Sequence, residues 1–269
     1  MIKWLHSRGF SVLYRTADGS TALHEAVKRG HHLSHVIKWL VNEGIDVNAR
    51  NNYGIAPIHV AVRVWSLPLV QLLYELGADI HQQSNSGYNA LHYAATEISW
   101  DIVDWLMDHG ADVEAKTTKG FNAVHIALKY SASDTVVDRL LARATDVDST
   151  DGNGRGYLHF ATQNRIRFRV EVMLNRGCNP CIRDDKGMLA AHIAIETMAA
   201  LEPYEIDTDD EIEKYSSSML EPFKLLVTKM TETDGDVLIE LLNFVDGIAN
   251  EKSSIILDYS RTWMNLMER

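Results

Sequence analysis

A glycine stands five residues before a histidine six times along this chain: Gly19/His24, Gly54/His59, Gly87/His92, Gly120/His125, Gly154/His159 and Gly187/His192. The histidines are separated by 35, 33, 33, 34 and 33 residues. Each sits in the same apolar frame, as in STALHEA (20–26), YNALHYA (88–94) and FNAVHIA (121–127), with alanine two residues after the histidine. A period near 33 residues narrows the choice of fold, because one such unit is too small to bury its own apolar face. Stacked copies can, each touching only its neighbours.

A second apolar run follows in each unit, for example VIKWLVNEGIDVNA (36–49), LVQLLYELGADIH (69–81) and DIVDWLMDHGADVEA (101–115). The spacing is helical. Gly44, Gly77, Gly110 and Gly177 stand where a left-handed helix end is expected, and Ala144 replaces glycine at the fifth such place, so that end should close differently. Each unit therefore reads as a short helix, a longer helix and a polar turn.

This pattern resembles the ankyrin repeat family, over roughly residues 2–200. The resemblance implies an all-α, ankyrin-repeat α-solenoid with β-hairpin fingers and a C-terminal helical cap, about eight layers in one continuous stack. The family's Thr-Pro-Leu-His element is imperfect: Thr21 keeps the threonine, while Ala56, Asn89, Asn122, Gly156 and Leu189 stand at its place. Asn can still cap a helix through its side chain; Ala, Gly and Leu cannot. The expected organisation is ankyrin repeats over 1–200, with a half repeat at 1–15 and units from about 16, 51, 84, 117, 151 and 184. An acidic insert at 201–214 interrupts repeat six, and helices over 215–269 complete and cap the stack. IKWL at 2–5 recurs at 37–40, so the chain begins inside a second helix, either as a minimal cap or as the continuation of a longer protein.

The formal charge is −11 in 269 residues. Residues 1–200 hold 20 basic and 21 acidic side chains, and residues 201–269 hold 6 and 16. The stack is thus nearly neutral and the acidity belongs to the C-terminal quarter. A negative balance argues against a nucleic-acid partner. No run of 18 apolar residues exists, so no membrane span is expected. Two cysteines make no disulfide framework. An intracellular location, cytoplasmic or nuclear, follows as an expectation.

Six histidines at one register predict a structural role, tying one finger to the next. His31, His32 and His35 lack a cysteine or carboxylate partner at helical spacing, and no metal site is expected there. Cys178 and Cys181 form a CNPC that overlays a finger start, with no second CxxC. DTDDEIE (207–213) lacks the central Gly and twelfth-position Glu of a calcium loop. GxSxG, P-loop and HExxH motifs are absent. No catalytic residue, metal or cofactor is assigned.

The resemblance places first helices on a concave face, with positions one, four and five after each histidine directed towards it. The expected partner-binding residues are Arg63, Val64, Trp65, Tyr93, Thr96, Glu97, Trp100, Lys129, Tyr130, Phe160 and Asn164, a groove unusually rich in aromatic side chains. Finger tips add Asn52, Tyr53, Asn85, Lys116 and Lys119. Arg165, Arg167 and Arg169 read as a basic patch between the helices of repeat five, against which the acidic insert is expected to fold. LVNEGIDVN (40–48) is similar to ankyrin sequences that asparaginyl hydroxylases modify, with Asn48 as acceptor. The leading reading is a non-catalytic module binding another protein of unknown identity, a scaffold or adaptor. The alternative is an enzyme or binder holding a small apolar ligand in the same groove.

Overall fold

The computed structural model describes residues 13–96, 99–130, 132–163, 167–199, 223–230 and 236–251. It divides into two compact units, Met1–Ala144 and Thr145–Arg269. The helices between Ala22 and Ala199 recur at spacings of 33 to 35 residues.

The first unit holds four helix pairs. They are α1 (Ala22–Lys28) with α2 (Ser34–Asn42), α3 (Pro57–Arg63) with α4 (Leu67–Glu75), α5 (Ala90–Ala94) with α6 (Trp100–Asp108), and α7 (Ala123–Lys129) with α8 (Asp134–Arg143). First helices pack on first helices (α1 on α3, α3 on α5, α5 on α7), and α4 packs on α6 and α6 on α8. The layers between them are filled by Leu23, Ile37, Leu40, Ile58, Leu69, Leu73, Leu91, Ile102, Leu106 and Ile126, each fully buried. Burying one such side chain stabilises the stack by about 1.5–3 kcal/mol.

The second unit holds α9 (Tyr157–Gln163), α10 (Arg167–Asn175), α11 (Ala190–Ala199), α12 (223–230) and α13 (Asp236–Glu251). α9 packs on α10 and α11, and α13 packs on α11. Phe223, Leu226, Val227, Leu241 and Val245 are buried, so both later helices belong to an apolar core. The acidic insert and the expected helix over 253–267 lie outside the described residues.

The turns confirm the glycine reading. Gly44, Gly77, Gly110 and Gly177 lie at φ between 87° and 93°, closing second helices in the left-handed region. Ala144, lacking that freedom, is extended at φ −66°, ψ 134°. At Gly87 (φ 77°) an added Cβ would also lie 2.5 Å from the Thr118 amide nitrogen of the next finger. Glycine there satisfies both a left-handed turn and a close approach.

The fingers differ from the expected hairpins. Among the described residues there is no strand, only the isolated bridges Arg15↔Thr21 and Thr150↔Gly156. Side chains close the turns instead: Asn51 Oδ1 accepts from Tyr53 N and Ile55 N, both at 3.0 Å. Asp184 Oδ1 accepts from Lys186 N and Met188 N at 2.9 and 2.8 Å. Successive fingers are then joined amide to carbonyl, Asn52 N to Asp18 O, Asn85 N to Tyr53 O and Thr118 N to Ser86 O in the first unit, and Asp185 N to Asn153 O in the second.

The repeat histidines are structural. In each, Nδ1 accepts the backbone N–H at the start of its own helix, at 3.0–3.4 Å from Thr21, Ala56, Asn89, Asn122, Gly156 and Leu189. That fixes the tautomer, so Nε2–H donates to the next finger: His24 to Ile55 O (2.9 Å), His59 to Gln82 O (2.8 Å), His92 to Phe121 O (3.2 Å) and His159 to Met188 O (3.0 Å). His192 instead faces the Glu240 carboxylate of α13 at 3.5 Å, and Phe244 packs edge-on against its ring at 4.5 Å. Arg183 holds the same carboxylate with two bonds of 2.8 and 2.7 Å. A side-chain carboxylate thus stands where the next finger's carbonyl would be. Burial lowers the pKa of His24, His92, His159 and His192 and takes His59 down to about 4.

Asn89 and Asn122 cap their helices as expected, their Oδ1 atoms accepting from His92 N (3.0 Å) and His125 N (3.1 Å). Cys178 is buried and its thiol donates to Val147 O at 3.3 Å; burial pushes the thiol up to about 12. This is an inert core cysteine.

Candidate functional site

First helices of the first unit are five to seven residues long, so few positions escape the neighbouring layers. Position four after the histidine does: Lys28, Arg63 and Lys129 are exposed and Thr96 is half-buried. Position five adds exposed Arg29 and Tyr130 and half-buried Val64. Position one is mixed. Tyr93 is half-buried, whereas Ile126 and Phe160 are buried. Phe160, expected to face a partner, is 2% exposed and is covered by the Arg155 guanidinium 4.6 Å from its ring. A large apolar side chain at this place gains more by filling the layer than by facing water.

Across repeats two to four the aromatic side chains form a chain. Tyr93 contacts His59 at 5.3 Å and Tyr88 at 5.4 Å between ring centroids. The Tyr88 hydroxyl bonds Tyr130, and burial with that bond raises its pKa well above the ordinary tyrosine value. Lys129 Nζ lies 4.4 Å from the Phe121 ring and 5.6 Å from the Tyr130 ring, within cation–π range. Tyr130 remains 52% exposed. Trp100, 49% exposed, has the Arg139 guanidinium 4.7 Å over its ring, and Arg139 also pairs with Asp104.

Repeats one and two enclose a cleft of about 480 Å³, whose lining includes Glu25, Lys28, Tyr53, Val60, Arg63 and Val64. Four of its lining side chains are charged once Asp18 is counted, which suits a polar chain better than a small apolar ligand. Tyr53 is 66% exposed at a finger tip. Asn52 and Asn85 point between fingers, donating to Ala17 O (3.2 Å) and Asn52 O (2.9 Å).

Trp65 stands apart. It is 63% exposed, and at φ 55° it is the non-glycine residue in the left-handed region among those described. It follows Val64, the residue just after α3, and its N–H reaches Val62 O at 2.9 Å while Ser66 N reaches Ala61 O at 3.3 Å. Glycine is the usual occupant of this helix end, and a bulky residue there costs about 1–2 kcal/mol. Sequence reasoning named Trp65 but not its strain. The signal was in the register: Gly30 (φ 108°) occupies the matching place, six residues after His24.

Other expectations divide. Glu97, Asn164 and Arg165 lie outside the described residues. Arg167 and Arg169 are in α10, not between helices, and Arg169 is 4% exposed. Arginine is a good helix former, and Arg169 sits beside Val170 on the buried side, so a surface patch between the helices is not formed by these two. Asn48 does not offer a free amide: Nδ2 donates to Gly77 O at 3.0 Å and Oδ1 accepts from Asp79 N at 2.8 Å. One group went unforeseen: on the outer helices, Tyr74 meets Trp105 and His109 edge-on at 5.3 and 5.2 Å, and His109 stacks on Trp105 at 3.9 Å. Among the described residues no cluster of His, Cys, Asp and Glu could hold a metal ion, and no helix is long and apolar enough to cross a membrane.

A family model of ankyrin repeats, three copies long, matches residues 1–84 and 65–151. An ankyrin repeat protein of Rickettsia bellii (strain RML369-C) is 35% identical over 74 residues, 27% of this chain. The match spans 40% of that relative's length. The crystal structure of the ankyrin repeat domain of Bcl-3, a unique member of the IkappaB protein family, superposes with a TM-score of 0.61 at 27% identity, over 78% of this chain and 86% of that one. The human ASB11 ankyrin repeat domain gives 0.64 at 22% identity, over 82% and 91%, a likeness of fold. Period, left-handed glycines, histidine ties and these matches agree: the chain belongs to the ankyrin repeat family.

Proposed function

We propose that the chain is a non-catalytic protein-binding module whose partner docks on the first-helix face of Met1–Ala144. Trp65, Tyr93 and Tyr130 serve as anchors, and Arg63 and Lys129 set orientation. The observation that carries the reading is the exposure of large aromatic side chains beside cations on one unit: Tyr53 66%, Trp65 63%, Tyr130 52% and Trp100 49%. Rings that bury little of their surface within their own fold, rimmed by charge, are the usual composition of interface anchors.

The test is a partner captured by the full chain and then titrated against Tyr93→Ala/Tyr130→Ala. Circular dichroism monitors the fold, and Tyr74→Ala on the outer helices is the control. Loss of at least tenfold in affinity for the double variant with the control unchanged is expected. Undiminished binding by the double variant contradicts the proposal.

A further inference from the structure

Trp65 poses a physical question that packing does not answer. A residue held in a left-handed backbone (φ 55°) ordinarily earns that place through buried contacts, yet this ring is 63% exposed. Strain kept at an exposed site points to a function of the side chain itself. The charges that share its place at the first-helix ends indicate what it meets. Lys28 and Arg29 end α1, Arg63 ends α3, and Lys129 with Tyr130 ends α7. Lys28 and Arg63 line one cleft together. Lys28, Arg29 and Arg63 have no ion pair among the described residues. Of the carboxylates in that cleft, Asp18 accepts from Thr16 and from Ser20 Oγ (2.9 Å) at the finger turn and keeps its charge, and Glu25 stands one turn back on α1, so the cleft lining itself is balanced. At the helix ends themselves, positions four and five after the histidine, Lys28, Arg29, Arg63 and Lys129 are exposed, and no acidic side chain stands at those two positions among the described residues of the first unit, on a chain whose formal charge is −11. Such an edge attracts carboxylates locally, while the overall charge disfavours a polyphosphate backbone.

We propose that this edge takes an acidic peptide segment of the partner, with an apolar side chain of that segment packed on Trp65 and its carboxylates met by Lys28, Arg29, Arg63 and Lys129. The inference rests on the docking-face reading and adds the partner's chemistry. It explains why tryptophan stands where glycine would fold more easily.

The experiment selects from a displayed library of random 12-residue peptides on the full chain. The selected peptides are then measured by fluorescence anisotropy on wild type, Trp65→Gly, Arg63→Glu and Tyr93→Ala/Tyr130→Ala. The expected result is enrichment of Asp and Glu around one aromatic or aliphatic residue. Affinity should fall at least tenfold in Trp65→Gly and in Arg63→Glu, and should weaken between 50 and 300 mM salt. Trp65→Gly should unfold at or above the wild-type midpoint, because glycine accepts the turn. Basic or neutral peptides, undiminished binding by Trp65→Gly, or failure to select any peptide overturns the inference. So does a midpoint more than about 2 °C lower in Trp65→Gly, which would mean that packing holds the ring. The docking-face reading fails separately, only if the captured partner binds Tyr93→Ala/Tyr130→Ala as well as wild type.

Discussion

His59 allows the sharpest quantitative prediction. Its ring is fully buried, its Nδ1 accepts Ala56 N–H at 3.0 Å, and its Nε2–H donates to Gln82 O at 2.8 Å. Ala56 has no side chain that could cap α3, so the histidine's bond is the side-chain tie present at that helix start. Protonating Nδ1 sets donor against donor and places a charge in the core. Burial accordingly lowers the pKa from 6.5 to about 4. The unfolded chain binds this proton first, so the contribution is fully present above about pH 7 and is lost as pH falls from 6.5 towards 4. The whole shift corresponds to about 3 kcal/mol, and about 2 kcal/mol is lost by pH 5. Asp18, Asp151 and Glu240, whose pKa values are lowered, lose their contributions only below the ordinary carboxylate range near 4. The interval from 6.5 to 5 therefore belongs to histidines. Native-state hydrogen exchange of α3 amides, measured at pH 7 and pH 5 on wild type and His59→Gln, isolates this residue, because His24 and His92 remain in both. Wild type should lose about 2 kcal/mol more opening free energy than His59→Gln. Equal losses, or an NMR titration of His59 near 6.5, would refute the reasoning.

Two further predictions concern the caps. Asn122→Ala removes from a fully buried side chain the Oδ1 bond to His125 N and the Nδ2 bond to the half-buried Glu114 (2.9 Å), and should cost about 1–2 kcal/mol in urea unfolding; a loss under a few tenths contradicts the capping role. In α13, Leu241→Ala should cost about 2–5 kcal/mol because Leu241 is fully buried, whereas Glu240→Gln should cost under about 1 kcal/mol and less in high salt, since its pair with Arg183 is 42% exposed on both sides. The reverse order would mean that the ion pair, not apolar burial, holds that helix.

The parts of the fold legible in the sequence were those set by period. Gly44, Gly77, Gly110 and Gly177 marked helix ends because left-handed backbone favours glycine, and the six histidines marked helix starts because each bonds its own N-terminus. What was not legible depended on competition between neighbours. Phe160 and Tyr93 share one register, yet Phe160 fills a layer while Tyr93 is half-exposed, and only packing decides. Arg169 looked like a loop cation and is buried on α10. The fingers looked like hairpins and are closed by Asn51, Asp151 and Asp184 side chains. Tyr74 comes from the repeat before that of Trp105 and His109, so their meeting needed the stacking geometry.

The central claim is that the partner sits on the first-helix face of Met1–Ala144. Hydrogen–deuterium exchange of the full chain with and without the captured partner tests it most directly. Protection confined to segments 57–65, 86–96 and 120–130 is predicted. Protection concentrated on the outer helices α4, α6 and α8, with those segments unchanged, would contradict it.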